Sequence, residues 1–221
     1  MRMRISSRIL AIVLSGLSGA AALAQGGPPL RTDDPGTPGD GNWEINIAFA
    51  VESLEDETEF EAPLLDINYG VGDAIQLKFE LPWVILHEDG EGTKDGLGNS
   101  TLGVKWRFLD EDPDGLSMSV YPQFEFKNPT SSGDRGIVDD RMELFLPVEV
   151  QKTFGAFSVN PEIGILVREG QRDQWVCGLA AGYEATPCLD LLGEIHGVAL
   201  TDFSDYDAVV NLGVRWHLSD M

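Results

Sequence analysis

The side chains best suited to acid–base work are His87, His196 and His217, together with the loop carboxylates Asp89, Asp202, Asp205 and Asp207. A hydrolytic site needs a nucleophile or an activated water beside a histidine that a carboxylate orients. His87 with Asp202 or Asp205 is the pairing that would supply one, at the rim of a sheet. His87 also stands beside Glu88 and Asp89, the ordinary setting of a solvated loop histidine, and His196 and His217 fall at polar positions of alternating segments. Asp202, Asp205 and Asp207 could offer oxygens to a divalent cation with Asp89 or Asp95. Calcium takes six to eight oxygens, however, and this run lacks the glycine and terminal glutamate of a calcium loop. No spacing matches a catalytic triad, a phosphate loop or a zinc motif. The expectation is a chain that is not an enzyme and carries no metal or cofactor.

A different chemistry is suggested by charges that recur at every second position. Glu44, Glu52, Asp66, Glu80, Glu125, Glu143, Glu149, Glu162, Glu184 and Glu194 share one face of alternating segments with Lys78, Lys105, Arg107, Lys127 and Arg215. Enclosed charges need partners, since desolvation costs several kcal/mol per ion without them. Two readings stand: an interior packed with ion pairs and water, or a narrow hydrated path that favours cations. Glu80, Lys105, Arg107, Glu125 and Glu149 are the candidates for selectivity in the second.

The elements that must position these groups are strands. In Ile75, Leu77, Phe79, Leu81, Trp83 and Ile85 the apolar residues alternate with Gln76, Lys78, Glu80 and Pro82, and Leu102, Val104, Trp106 and Phe108 alternate with Thr101, Gly103, Lys105 and Arg107. Side chains of a strand point to opposite faces in turn, so each segment has one greasy and one wet face. Ten such segments are expected, at 43–53, 59–71, 74–86, 101–109, 116–127, 141–152, 156–167, 175–184, 190–199 and 207–218. The ninth has an ambiguous facing because Leu191 and Leu192 are adjacent.

The connections alternate in length. Residues 71–73 and 153–155 are tight turns, joined on that side by 109–115 and 185–189, whereas 87–100 and 128–140 are long and rich in Gly, Asp, Asn and Ser. Membrane barrels show this alternation, with short periplasmic turns and longer outer loops. The tryptophans agree: all five lie on the apolar stripe, Trp43, Trp106 and Trp216 near the periplasmic ends and Trp83 and Trp175 near the outer ends. Two such belts are the mark of aromatic residues at membrane interfaces.

The N-terminus supplies the compartment. Arg2, Arg4 and Arg8 precede the apolar run from Ile9 to Leu17, and Ala22-Leu23-Ala24 before Gln25 has the small-x-small form of a signal cleavage site. Residues 1–24 are read as a cleaved secretory signal, 25–41 as an irregular Gly/Pro-rich periplasmic segment and 42–221 as the barrel. No stretch approaches the roughly 18 apolar residues of a spanning helix. The formal charge of −22 excludes nucleic acid as a partner, because such a surface repels phosphate. Cys177 and Cys188 would lie in an oxidising compartment. With a hairpin turning near Pro187 they would be separated by roughly 23 Å at ~3.3 Å per residue, far beyond the about 7 Å a disulfide spans, so two free thiols are expected.

Residues Thr32-Asp33-Asp34-Pro35-Gly36-Thr37-Pro38-Gly39 and Gly41-Asn42-Trp43-Glu44-Ile45-Asn46 resemble the start of the bacterial family called putative MetA-pathway of phenol degradation proteins. Glu61-Ala62-Pro63-Leu64-Leu65-Asp66-Ile67-Asn68-Tyr69-Gly70 and Gln76-Leu77-Lys78-Phe79-Glu80-Leu81-Pro82-Trp83 are similar to it as well. The resemblance covers residues 30–83 and is architectural beyond them. It implies an exported outer-membrane barrel labelled a transporter, for aromatic or other hydrophobic compounds; it carries no functional residues. The chain departs from ordinary barrels at its end, where the last aromatic, Trp216, is displaced from the C-terminus.

The expectation is therefore an all-β, antiparallel, up-and-down transmembrane barrel of about ten strands in the outer membrane. Its partners are membrane lipid, the outer-membrane assembly machinery and an unknown small-molecule substrate. Ten strands exceed the eight whose interior side chains fill and fall far below the 16 to 18 of an aqueous channel, which points to a narrow or gated route. The alternatives are a structural or interaction barrel without transport and a soluble periplasmic ligand-binding barrel.

Overall fold

The computed structural model describes residues 12–16, 30–53 and 57–216. Most of residues 1–24, expected as an export signal, the first residues of the segment that follows, and His217 lie outside the described residues. The described part is all-β and antiparallel. Its strands are β1 (Ile12–Gly16), β2 (Trp43–Ser53), β3 (Glu57–Val71), β4 (Ile75–Glu88), β5 (Gly92–Leu97), β6 (Ser100–Leu109), β7 (Ser117–Val120), β8 (Gln123–Phe126), β9 (Glu143–Phe154), β10 (Phe157–Arg168), β11 (Gln174–Thr186), β12 (Leu189–Leu200) and β13 (Tyr206–Trp216). One four-residue helix, α1 (Glu111–Asp114), lies between β6 and β7. No described helix is long and apolar enough to cross a membrane.

The sheet follows the chain, in the order β1-β2-β3-β4-β6-β7-β9-β10-β11-β12-β13, with β5 added to β4 and β8 filling the row between β6 and β9. Each expected segment is a strand. Three details differ. The loop expected at 87–100 is half strand: β5 folds back on β4 with Glu88 opposite Gly92 and Trp83 opposite Leu97. The strand expected at 116–127 is broken at Tyr121-Pro122, because proline offers no ladder donor and Tyr121 turns its ring inside; Val104 N–H bonds to Pro122 O instead. The third is β1, within the segment expected as an export signal, which pairs with the outer edge of β2.

Alternation sets the two faces. On one face the large apolar side chains are exposed, from Trp43, Ile45 and Ile47 on β2 to Val210, Leu212 and Val214 on β13, where Leu212 is 87 % exposed. The opposite face buries Asn46, Asp66, Asn68, Gln76, Lys105, Ser119, Glu149, Asn160, Glu162 and Glu194. The ambiguity at 191–192 is resolved the same way: Leu191 faces out and Leu192 joins Leu30 and Ala180 inside.

The turns are short where expected. Gly72 and Gly155 take positive φ in the tight turns, a conformation glycine adopts without a Cβ penalty. In the 109–115 connection, Asp110 caps α1 by accepting from Asp112 N–H, and Gly115 closes it with a left-handed φ of 80°.

Candidate functional site

The polar face curls around residues 30–38, a stretch with no regular secondary structure. Leu30, Thr32, Asp34, Pro35 and Thr37 are buried there. Backbone N–H groups of Arg31 and Thr32 donate to the two carboxylate oxygens of Glu194 on β12, each at 2.8 Å. Asp33 N–H donates to Glu162 Oε2 on β10 at 3.4 Å, and Thr37 Oγ1 donates to Asp73 O in the β3–β4 turn at 2.8 Å. The sequence bends here for a local reason: Asp34 Oδ1 accepts from Gly36 N–H at 2.6 Å across Pro35, an Asx-type turn.

The wall makes room for this segment with small residues. Gly178, Ala180 and Gly182 line the inner face of β11. A Cβ on Gly178 would collide with Thr32 Oγ1, and one on Gly70 would collide with the Gly39 carbonyl. The chain over residues 30–39 is therefore accommodated at two glycines, by the Thr32 side chain against Gly178 and by the Gly39 backbone against Gly70.

At the centre lies Lys105, 1 % exposed. Its Nζ stands 3.3 Å from Asp33 Oδ1 and 3.5 Å from Glu149 Oε2, donates to the Asp34 carbonyl, and lies 4.5 Å from the Tyr121 ring centroid. Glu149, fully buried, also accepts from Ser119 Oγ at 2.5 Å. Gln76 Nε2 ties Tyr121 Oη (3.1 Å) to Asn68 Oδ1 (2.8 Å). One buried ammonium is thus shared between the wall and the segment, and hydrogen bonds satisfy much of what surrounds it, as buried ions require.

The other candidates separate from this centre. Glu80 pairs with Lys78 at 2.8 Å, and Lys78 reaches Asp66 at 3.5 Å. Glu125 accepts from Asn99 Nδ2 at 3.0 Å. Glu80 and Glu125 share a row, one on either side of Thr101, with Glu143 next and held by Arg168 at 2.7 Å. Arg107 does not join either group: it bonds to Asp110 at 3.0 Å and to Asp73 O at 2.8 Å, bracing two turns. Lys127 and Glu184 also leave the inner set. Lys127 lies past the end of β8, paired with Asp140, and Glu184 is exposed. The partners that sequence reasoning does not assign are Asp33, Asp34 and Thr32. Their signal is the Asp-Asp-Pro-Gly run, legible as a turn but not as something the wall would enclose.

All five tryptophans sit on the exposed apolar face, between 36 % exposed at Trp175 and 66 % at Trp216. Trp43 packs on Tyr69 with ring centroids 4.6 Å apart, and Trp106 packs on Phe108 at 5.7 Å.

The hydrolase pairing does not form. His87 bonds to Thr93 Oγ1 at 2.9 Å, while Asp202 is held by Arg172 at 3.1 Å and by Ser204. Among the described residues no three His, Cys, Asp or Glu side chains gather as a metal site. Both cysteines are free; Thr186 pairs with Leu189, so Cys188 lies in the turn itself rather than opposite Glu184.

Asp202 gives a pH test of the outer loop. Bonds from the Ser204 hydroxyl and backbone, with Arg172 beside them, hold its carboxyl below the ordinary range. A lowered value means the tie is present at neutral pH and is lost as pH falls through the folded-state value. In a carbon-detected NMR titration, Asp202 is expected to titrate below the roughly 3.9 of a free aspartate, and Ser204→Ala to raise it part of the way back, since the Ser204 N–H and Arg172 remain.

Compared with known protein families and with characterised proteins, the chain matches none. Its reading therefore rests on its own geometry: an exposed apolar face, an enclosed charged one, and a segment of the same chain filling the latter.

Proposed function

We propose that this chain is an outer-membrane β-barrel whose strands cross the bilayer and enclose a narrow route for a small molecule, with residues 30–38 as its internal stopper. The observation that carries the reading is the inverted distribution of polarity. Large apolar side chains, tryptophans included, face outward along nearly every strand, while lysine and glutamate lie inside at almost no exposure. A chain folding in water would do the reverse; in lipid the exposed stripe is the solvated one.

Closure follows from the edges. The outer edge of β2 carries β1, a piece of the leader, and among the described residues β13 has an unpaired edge at the other end of the sheet. Removing residues 1–24 frees the β2 edge, and pairing it with β13 closes the barrel without an exposed ladder, as a bilayer demands. Transport of a small, in part hydrophobic, solute is what the resemblance of residues 30–83 implies; no family model matches the chain, and the proposal of a route rests on the geometry.

Electrophoresis of detergent-extracted protein in SDS tests the barrel. The unboiled sample is expected to run at a different position from the boiled one; identical mobility, with recovery from the soluble periplasm, would replace the reading by a water-soluble binding barrel. A second reading, a barrel that only presents its loops, is favoured by the filled interior, and conductance measurements divide the two.

A further inference from the structure

We infer that the edge strand β13 binds the outer edge of β2 in the same chain at one register, Trp43 opposite Trp216 and Ser53 opposite Tyr206, and that β1 holds this seat until it is removed. This rests on the barrel reading, to which it adds the pairing partner and the order of events. Among the described residues β13 pairs with β12 alone. Its outward side chains register the missing neighbour: Val210, Leu212, Val214 and Trp216 are 64–87 % exposed, against 39–54 % for Trp43, Ile45, Ile47 and Phe49 on β2, which has a strand on either side. The outer edge of β2 accepts an antiparallel strand, because Ile12–Gly16 pair there with Ile45–Phe49. From β2 to β13 the sheet has ten antiparallel rows, so β13 also runs antiparallel to β2 and fits the same seat. An edge left open in lipid would leave a ladder of polar groups unsatisfied.

The stagger of the sheet selects the register. Followed across directly opposed residues, the row that starts at Trp43 passes Leu77, Leu146 and Trp175 and ends at Tyr206. β2 and β13 are eleven residues each, so full overlap sets Tyr206 opposite Ser53, at the far end of β2 from Trp43. Climbing one residue per row, at ~3.3 Å along and ~4.8 Å across, tilts the strands by about 35°, as in membrane barrels. A two-residue slip leaves Trp216 overhanging Trp43, or Tyr206 overhanging Ser53. A one-residue slip sets outward side chains against inward ones. At full overlap Arg215, which faces Asp190 on β12, meets Glu44 on its other side, and Trp216 extends the Trp43–Tyr69 ring pair. The like pair, Glu52 with Asp207, falls at the outer rim, where water and salt screen it. In this register Ile45–Phe49 face Val210–Val214, and these are the residues of β2 that β1 covers. The two strands cannot be seated together, so a retained leader keeps the seam open.

Cysteine cross-linking of the full chain in its membrane, with Cys177→Ser and Cys188→Ser as background, tests this. On mild oxidation Ile47→Cys with Leu212→Cys is expected to form an internal disulfide, read as a mobility shift of the boiled, unreduced chain. Ile47→Cys with Val210→Cys or with Val214→Cys should link far less, since diagonal neighbours stand ~7–8 Å apart and a bridge needs about 7 Å or less. Val51→Cys with Ala208→Cys reports the same register if the first pair does not fold. Ala22→Leu with Ala24→Leu removes the small residues that cleavage requires; in that chain the 47–212 link should be lost, and Leu14→Cys should link to Ile47→Cys instead. A preferred link at a slipped pair, with the heat-dependent mobility of the uncrosslinked chain intact, would overturn the register and leave the barrel standing. Disulfide-linked dimers in place of the internal bridge would overturn the same-chain partner in favour of a second copy. Equal 47–212 linking with the leader retained would overturn the role given to β1. Absence of every internal link together with the heat-dependent shift would remove the barrel and this seam with it.

Discussion

Lys105→Met is expected to destabilise the protein by about 3–5 kcal/mol, the range for removing one partner of a buried ion pair. The size follows from what is left behind. Glu149 has 0 % side-chain exposure and keeps only Ser119, while Asp33, at 27 %, retains some access to water. The orphaned charge of Glu149 should therefore dominate. Glu149→Gln in the same chain is expected to recover part of the loss, because it removes the uncompensated carboxylate rather than the attraction. Urea titration of the single and double variants in detergent measures both terms. Additive losses would mean that Lys105 and Glu149 do not share one network. The same substitution should loosen residues 30–38, which lose the ammonium that holds Asp33 and the Asp34 carbonyl, and limited proteolysis reads that release.

Deleting residues 30–38 is expected to raise single-channel conductance on the order of tenfold, with a preference for cations. The segment occupies the space over the small residues of β11 and between the facing carboxylates of β10 and β12. Without it Glu149, Glu162 and Glu194 line the opening against Lys105, so the field inside is negative. Reversal potentials in a salt gradient give the sign. A deletion variant as silent as the full chain would show that wall side chains alone fill the interior, and the loop-presenting barrel would then be the function.

Much of this architecture is legible in the residue pattern alone. The alternation through Ile75–Ile85 dictates the facing of β4, and the same period places Lys105 and Glu149 on the enclosed side, where they meet. Arg107 shares that alternation and yet ends at a turn. Period two assigns a face but not a height, and near a strand end an arginine reaches the nearest carbonyls. Lys127 departs from the inner set at the same kind of boundary. Residues 30–38 are the harder case, because enclosure of an irregular segment depends on glycine notches at Gly70 and Gly178, the second more than a hundred residues away, and no local pattern records them. The break at Tyr121-Pro122 is signalled by the proline itself. The extra strand β5 is concealed by Gly92, Gly96 and Gly98, which look like loop; of these Gly96 lets Ser132 and Ile137 pack over the hairpin.

The docking of residues 30–38 bears on the order in which the molecule assembles. This stretch is synthesised ahead of every strand that encloses it, yet its bonds run to Glu162 and Glu194, separated from it by 129 to 163 positions. Contacts of such range form late, after the loop between them has been closed. A segment made before the strands around it is therefore among the last to settle, and the notch on β11 must exist before its occupant arrives. On the proposed barrel reading the interior is open and hydrated until then, so a freshly inserted molecule and a matured one should differ in permeability though their strands are the same.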